Sequence, residues 1–354
     1  MTPGPPDGSV GTTPQAPLGE NDHAERHFSL VRHWGAWVFG LLAFGAVIAV
    51  IGRLADVERF GELLAAAQPL WLLGGFALQA LTYVVAANVW YVALDRAGSH
   101  QSLGTLIPLS LAKLFSDQAM PTAGVSGTLV LLRGFIRRGV ARPTSSAVML
   151  LSLVTYYSAY LLATLISLTV VGRHHAVSAV LAVLVGIFVL VAVGLPLIAI
   201  LFMGPISNRL RQYSGRFPGL RLLVSTDTPM LVHLLRQPRL LIETIGLHLL
   251  VLALDAATFY LMLLAIGVTA APLDVFATFV LASVAATLAP VPIGLGAFEA
   301  TAVAMLRLAG IDLEAGLTAT LMLRGLTVWI PMLPGLWLAR RELKGTHEFV
   351  NMQT

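Results

Sequence analysis

The sequence of 354 residues contains no cysteine. That absence excludes disulfide bonds, thiolate catalysis and cysteine-based metal sites. Charge is also scarce: Asp, Glu, Lys and Arg make up 11% of the chain, whereas about a quarter of a typical soluble domain is charged. No G-x-x-x-x-G-K-[ST] motif occurs, so an ATP-binding P-loop is not predicted. The nine histidines do not cluster as ligands, and we predict no metal, no cofactor and no catalytic activity.

Apolar residues dominate the chain, at 57% of the total. Several apolar runs reach the length of about 20 residues that crosses the hydrocarbon of a bilayer. The basic residues flank these runs without aromatic platforms between them, so nucleic acid is not a predicted partner. The pattern is typical of an all-α integral membrane protein. We predict spans at residues 34–52, 69–94, 144–171, 175–203, 240–267 and 313–339.

Two other apolar stretches are interrupted by proline and glycine, one near residues 120–127 and one near 289–299. An arm of about 15 helical residues covers about 22 Å, which is less than the hydrocarbon core of about 30 Å. Each pair of arms therefore predicts a re-entrant helical hairpin. The arms are residues 103–119 and 125–137 around the first break, and 274–289 and 297–310 around the second.

Arginine placement predicts the orientation. Arginines concentrate after the first hairpin, in a long loop at 204–239 and beyond the last span. The positive-inside rule makes these segments cytoplasmic, in a cell membrane with both termini inside. The units 69–171 and 240–339 then form an inverted repeat. The predicted domains are a disordered tail at 1–33, a transmembrane domain at 34–340 and a short cytoplasmic tail at 341–354.

The breaks are candidate binding segments, because proline removes an amide donor and glycine permits unusual dihedral angles. In lipid, open backbone is tolerated only where protein buries it or where it lines a wet cavity. Its amides can face an anionic group at the ends of half-helices. The alternative is a turn that only reverses the chain. The residues concerned are Pro121, Gly124, Pro292, Gly294 and Gly296.

Two charged residues of the second unit stand out. Glu299 begins the second arm, where a carboxylate either caps the helix or lines a lipid path. Arg324 lies near the middle of the span 313–339. It forms either a structural ion pair, with Glu299 or Asp255, or a clamp for phosphate, which guanidinium binds in a bidentate manner.

Four further residues are weaker candidates. Lys113 and Asp117 are four residues apart, so they either pair on one helix face or line the cavity opposite Glu299. Arg133 belongs either to the inside-positive cluster or to a site that gathers anionic headgroups. Asp255 lies in the span 240–267, with His248 about two turns earlier on a similar face.

These motifs resemble a known family, the lysylphosphatidylglycerol synthase transmembrane region. The resemblance rests on Pro121-Thr122-Ala123-Gly124-Val125-Ser126-Gly127 with Leu132-Arg133, and on Pro292-Ile293-Gly294-Leu295-Gly296-Ala297-Phe298-Glu299. It covers roughly residues 30–345. It implies lipid translocation, which the family's best-understood members pair with a soluble domain that attaches amino acids to phosphatidylglycerol. We expect no such domain here, so that transfer activity is not carried over.

The resulting hypothesis is a flippase-like transporter that moves an anionic or modified phospholipid or glycolipid between leaflets. The expected partners are membrane lipids, with a cytosolic lipid- or glycan-modifying enzyme and a second copy of the chain as further candidates. Three alternatives stay open: a scaffold that recruits such an enzyme, an intramembrane transferase, and a transporter of soluble solutes. A scaffold should tolerate loss of Arg324 or Glu299.

Overall fold

The computed structural model describes residues 62–63, 65–119, 125–174, 179–201, 228–289 and 294–344. Within these ranges the secondary structure is helical and contains no β-strand, so the predicted all-α class is confirmed. The helices are α1 (Pro69–Arg96), α2 (Leu103–Ala119), α3 (Val125–Arg137), α4 (Arg142–His174), α5 (Ala179–Leu201), α6 (Thr228–Leu235), α7 (Pro238–Ala265), α8 (Pro272–Leu288), α9 (Ala297–Leu308), α10 (Leu313–Arg324) and α11 (Ile330–Lys344).

Five helical segments are long and apolar enough to cross a membrane, and they coincide with five of the six predicted spans. The sixth prediction, residues 34–52, lies outside the described residues, as do the tail at 1–33 and residues 345–354. The spanning segments are Pro69–Arg96, Arg142–Arg173, Ala179–Leu197, Pro238–Ala265 and Leu313–Leu338.

The predicted short arms are present as helices on either side of each break. Helices α2 and α3 have 17 and 13 residues, and α8 and α9 have 17 and 12. The first pair has the predicted bounds, whereas the second runs over Pro272–Leu288 and Ala297–Leu308, so its ends shift by one or two residues. Seventeen residues of α-helix reach about 25 Å, so none of the four is a full span. Their re-entrant path stays a prediction.

Two helical features of the structure were not predicted from the sequence. The first is the short helix α6, which lies in the described part of the connecting loop 204–239. Leu231 and Leu234 of α6 are buried in the core, because they share one helical face. The last predicted span, 313–339, is present as Leu313–Leu338, with a π-helical segment at Gly325–Trp329 inside it.

Helices α1 and α7, which begin the two predicted units, pack against each other in antiparallel directions. The backbone amide of Gln68 donates to the carbonyl of Ala265 at 2.8 Å at one end. At the other end, Arg96 Nη2 lies 3.9 Å from Glu243 Oε2. Close approach is possible because a Cβ on Gly75 would lie 2.5 Å from the Met262 side chain. In lipid such van der Waals contact, rather than hydrophobic burial, holds helices together.

The packing of the remaining helices is reciprocal. The first short helix of each unit packs on the last helix of the other unit: α2 lies against α11, and α8 lies against α4. Each pair of short helices also contributes to a core of its own, α2 and α3 to one and α8 and α9 to another. The inverted repeat and the orientation of the units in a bilayer stay predictions.

Candidate functional site

The second break ends in two glycines with left-handed backbone. Gly294 has φ of 63° and Gly296 has φ of 84°, conformations that glycine adopts without a steric penalty. A Cβ on Gly294 would lie 2.5 Å from the Cβ of Ala286 on α8. The backbone therefore returns along α8 at a distance that only glycine allows.

Glu299 fixes the start of α9. Its Oε2 accepts a hydrogen bond from the backbone amide of Gly296 at 2.7 Å. This is the side-chain half of a capping box, in which the third residue of a helix reaches back to the residue before it. The predicted capping role of Glu299 is therefore present in the structure.

The other carboxylate oxygen of Glu299 holds Arg324. Glu299 Oε1 lies 2.9 Å from Arg324 Nε, and the two side chains are only 2% and 8% exposed. The Arg324 guanidinium also lies 5.1 Å from the centre of the Phe298 ring, which meets Phe279 edge-on. Of the two ion pairs considered from the sequence, the pair with Glu299 exists, and the structure records none between Arg324 and Asp255.

Arg324 is the last α-helical residue before the π-helical segment. Within that turn the amide of Ile330 bonds to the carbonyl of Gly325, five residues earlier. The chain continues with Pro331 and Pro334, and Pro331 has no amide hydrogen and crowds the preceding turn. A single π-turn relieves that crowding and is frequent at functional sites.

The first unit carries a comparable cluster. Lys113 Nζ lies 2.6 Å from Asp117 Oδ2, as their spacing of four residues predicts. Asp117 Oδ1 accepts a hydrogen bond from the amide of Gly127, in the first turn of α3, at 3.0 Å. A Cβ on Gly127 would collide with the Asp117 carboxylate. This pair is 35% and 23% exposed, in contrast to the buried pair of the second unit.

The structure does not bring every candidate residue into these two clusters. Arg133 is exposed on α3, and no contact with Asp117 is recorded. Asp255 faces Gln79 and Thr82 of α1. His248 bonds to Thr244 on its own helix and packs edge-on against Tyr156 of α4. Pro121, Gly124 and Pro292 lie outside the described residues.

Sequence reasoning missed three contributors: the π-turn, the ring of Phe298 and the role of Gly127. Each had a signal, because Pro331 follows Gly325 closely, Phe298 adjoins Glu299, and Gly127 lies in the first break motif. Among the described residues no group of three or more His, Asp or Glu side chains could hold a metal ion. A cavity of about 240 Å³ lies between α4, α8 and α9, but none of the predicted site residues lines it.

Fold and site together define a polytopic helical membrane protein with a carboxylate–cation pair beside each of two broken helices. Over residues 37–335 the sequence matches the family described as the lysylphosphatidylglycerol synthase TM region. The chain belongs to this family, which confirms the predicted resemblance and links the protein to membrane lipids. No curated protein matches the chain at a significant level.

Proposed function

We propose that the protein is a flippase-like transporter that moves an anionic or modified phospholipid or glycolipid between leaflets, without catalysis of its own. The observation that carries this proposal is the buried Arg324–Glu299 pair at the open backbone of the second break. Charges inside a membrane are costly and mark substrate paths. The family assignment supports a lipid as the substrate class.

Arg324 is the residue that binds the lipid phosphate. A guanidinium stays charged and can donate two parallel hydrogen bonds to phosphate oxygens. In the closed arrangement Glu299 occupies that position, so an arriving phosphate competes with the carboxylate. The oxygen of Glu299 that accepts from the Gly296 amide is not the one that faces Arg324, so in this scheme the carboxylate retains that donor when the pair separates. The ring of Phe298 supports the guanidinium through a cation–π contact.

Lys113 and Asp117 form the more accessible half of the path. Their partial exposure suits a first encounter with a headgroup, whereas the buried pair suits a later, desolvated step. The headgroup moves between the hairpins near the midplane while the acyl chains stay in lipid. Rocking of the two inverted units, with both termini cytoplasmic in the cell membrane, alternates the access. Pro121, Gly124 and Pro292 complete the broken backbone in this scheme.

The test is leaflet-resolved movement of fluorescent lipids in proteoliposomes, with dithionite quenching as the readout. Anionic and zwitterionic lipids are compared for wild type, Arg324→Gln and Arg324→Lys. A lost charge-assisted hydrogen bond contributes about 1.5–3 kcal/mol, so we expect transport by Arg324→Gln to fall about tenfold or more. Arg324→Lys should retain part of the rate for anionic lipids, because it keeps the charge.

Arg96→Gln is the matched control, since it also removes an arginine from an ion pair, but from a partly exposed one at the end of α1. Gel filtration establishes that each variant is folded. Equal transport by wild type and Arg324→Gln would remove Arg324 from the mechanism. Absence of movement by wild type with every lipid would contradict the transporter proposal and favour a scaffold.

A further inference from the structure

The side chains of Gln79 and Thr82 lie within hydrogen-bond reach of the Asp255 carboxyl at the α1–α7 interface, yet two buried oxygen atoms there have no partner. They are Asp255 Oδ1 and Gln79 Oε1, which have no partner in the structure. Gln79 is 6% exposed. This interface joins the first helices of the two units, and the polar pair lies along the spanning part of both helices.

The two side chains nearest to Asp255 also donate elsewhere. The Thr82 hydroxyl donates to the carbonyl of Leu78 at 3.1 Å, and Gln79 Nε2 donates to the Tyr83 hydroxyl at 3.4 Å. An ionised carboxylate and an amide oxygen are both acceptors, so neither can satisfy the other. One proton on Asp255 resolves the conflict, because a protonated carboxyl can donate to Gln79 Oε1. The same proton removes an unpaired charge from the membrane interior.

The other helices packed on α7 provide no counter-charge. The titratable groups that face Asp255 from other helices are Tyr83 on α1 and Tyr156 on α4, and neither is a cation. On α7 itself, His248 lies about two turns earlier and packs against Tyr156. Within the described helices the structure records no ion pair between Asp255 and an arginine or lysine of α4, α6, α8 or α10. The Arg96–Glu243 pair lies at the far end of the α1–α7 interface. A proton is therefore the group that fits this site.

The geometry points to Asp255 as a dissociable proton site that couples the relative movement of the two units to a proton gradient. In the packed arrangement the carboxyl of Asp255 carries a proton, and its O–H group donates to Gln79 Oε1 across the interface. When the units separate, the carboxyl loses that acceptor and meets water, the O–H bond ionises, and the proton passes to a water molecule. The coupling rests on the proposed lipid transport, whereas the proton site does not.

The first experiment tests the proton site without transport. Wild type, Asp255→Asn and the control Asp312→Asn, which alters an exposed carboxylate, are compared by infrared difference spectroscopy between acidic and alkaline buffer. Other carboxylates of the chain also protonate in acid, so we expect one component of the protonated-carboxyl band to be present in wild type and in the control but lost in Asp255→Asn. The unfolding temperature of wild type should fall as pH rises, because the folded state then binds one proton more than the unfolded state. In Asp255→Asn the unfolding temperature should fall less steeply with rising pH than in wild type.

One specific result would overturn the proton site. If the Gln79 amide is turned around, its Nε2 donates to an ionised Asp255 and its Oε1 accepts from Tyr83. Asp255→Asn would then show the same infrared difference and the same pH slope as wild type. Gln79→Leu distinguishes the two arrangements further, since it should weaken the carboxyl band only where the protonated acid bonds to Gln79.

The second experiment tests the coupling in proteoliposomes with an imposed pH difference. A difference of about one unit is a tenfold proton ratio, so one proton per lipid would drive up to about a tenfold leaflet asymmetry. We expect asymmetry with wild type and with Asp312→Asn, and equal leaflets with Asp255→Asn. Transport that ignores the pH difference, or that follows a sodium gradient instead, would overturn the coupling. If no lipid moves, the proposed function fails, and the infrared result still decides the proton site.

Discussion

The two broken helices have the same kind of ion-paired carboxylate at the break, but the two ion pairs differ in burial. In each, a carboxylate accepts a hydrogen bond from an amide at the start of the second short helix and pairs with a cation. Asp117 takes its cation from the same helix, one turn away, and the pair is partly exposed. Glu299 takes its cation from a helix that follows in the chain, and the pair is almost fully buried.

The difference separates a local interaction from a tertiary one. A partly exposed pair four residues apart contributes little to stability, because water screens it and both side chains lose rotamer freedom. A buried pair is different, since removal of one partner leaves an uncompensated charge in a poorly solvated site. We therefore expect the ion pair of the second cluster to affect the stability of the fold, and the ion pair of the first cluster to respond to salt and ligands.

The largest effect should come from breaking the buried pair. Arg324→Gln leaves Glu299 charged among apolar residues, which typically costs about 3–5 kcal/mol. The measurement is the free energy of unfolding in detergent. Arg324→Gln combined with Glu299→Gln removes both charges and should recover part of that loss. If the double variant were less stable than either single variant, the pair would not be the source of the cost.

A smaller effect is expected at the second break itself. Gly294→Ala places a side chain at φ of 63°, which costs about 1–2 kcal/mol. The new Cβ also approaches Ala286, and overpacking typically adds about 1–3 kcal/mol. Unfolding should therefore occur at a lower denaturant concentration. Gly246→Ala is the control, because a Cβ at that helical position meets no atom within 4 Å.

The equivalent change in the first cluster should cost less. Gly127→Ala pushes the Asp117 carboxylate away from the amide and removes a charged hydrogen bond of about 1.5–3 kcal/mol. Replacement of glycine by alanine stabilises a helix by about 1 kcal/mol. The net loss of unfolding free energy should therefore be about 1 kcal/mol. In an Asp117→Ala background the same change should be neutral or stabilising. An equal loss in both backgrounds would show that Gly127 does not act through Asp117.

The smallest stability effect is expected for Lys113→Gln, at about 0–1 kcal/mol. High salt should reduce it further, because partly exposed charges are screened. Lipid transport is the sharper readout, since Lys113 is proposed to meet headgroups. A transport loss well above the stability loss would support that role. Transport of anionic lipid at the wild-type rate would restrict the path to the second cluster.

Local properties of the chain were accessible from the sequence. Spans at 69–94 and 240–267 follow from continuous apolar runs bounded by Pro69 and Pro238, which start helices α1 and α7. The breaks follow from glycine and proline, and the Lys113–Asp117 pair follows from helical spacing. Helix α6 was not predicted, because it has only eight residues and lies in an arginine-rich segment.

The sequence by itself determined the class of protein, the positions of the breaks and the short-range ion pair, because apolar length, backbone dihedral limits and helical spacing are local. Only the tertiary structure decided that Arg324 pairs with Glu299 rather than with Asp255, that α1 and α7 run antiparallel, and that Gln79 faces Asp255. These contacts join residues 25 to 197 positions apart in the chain. Their choice depends on how whole helices pack, and no local pattern encodes that.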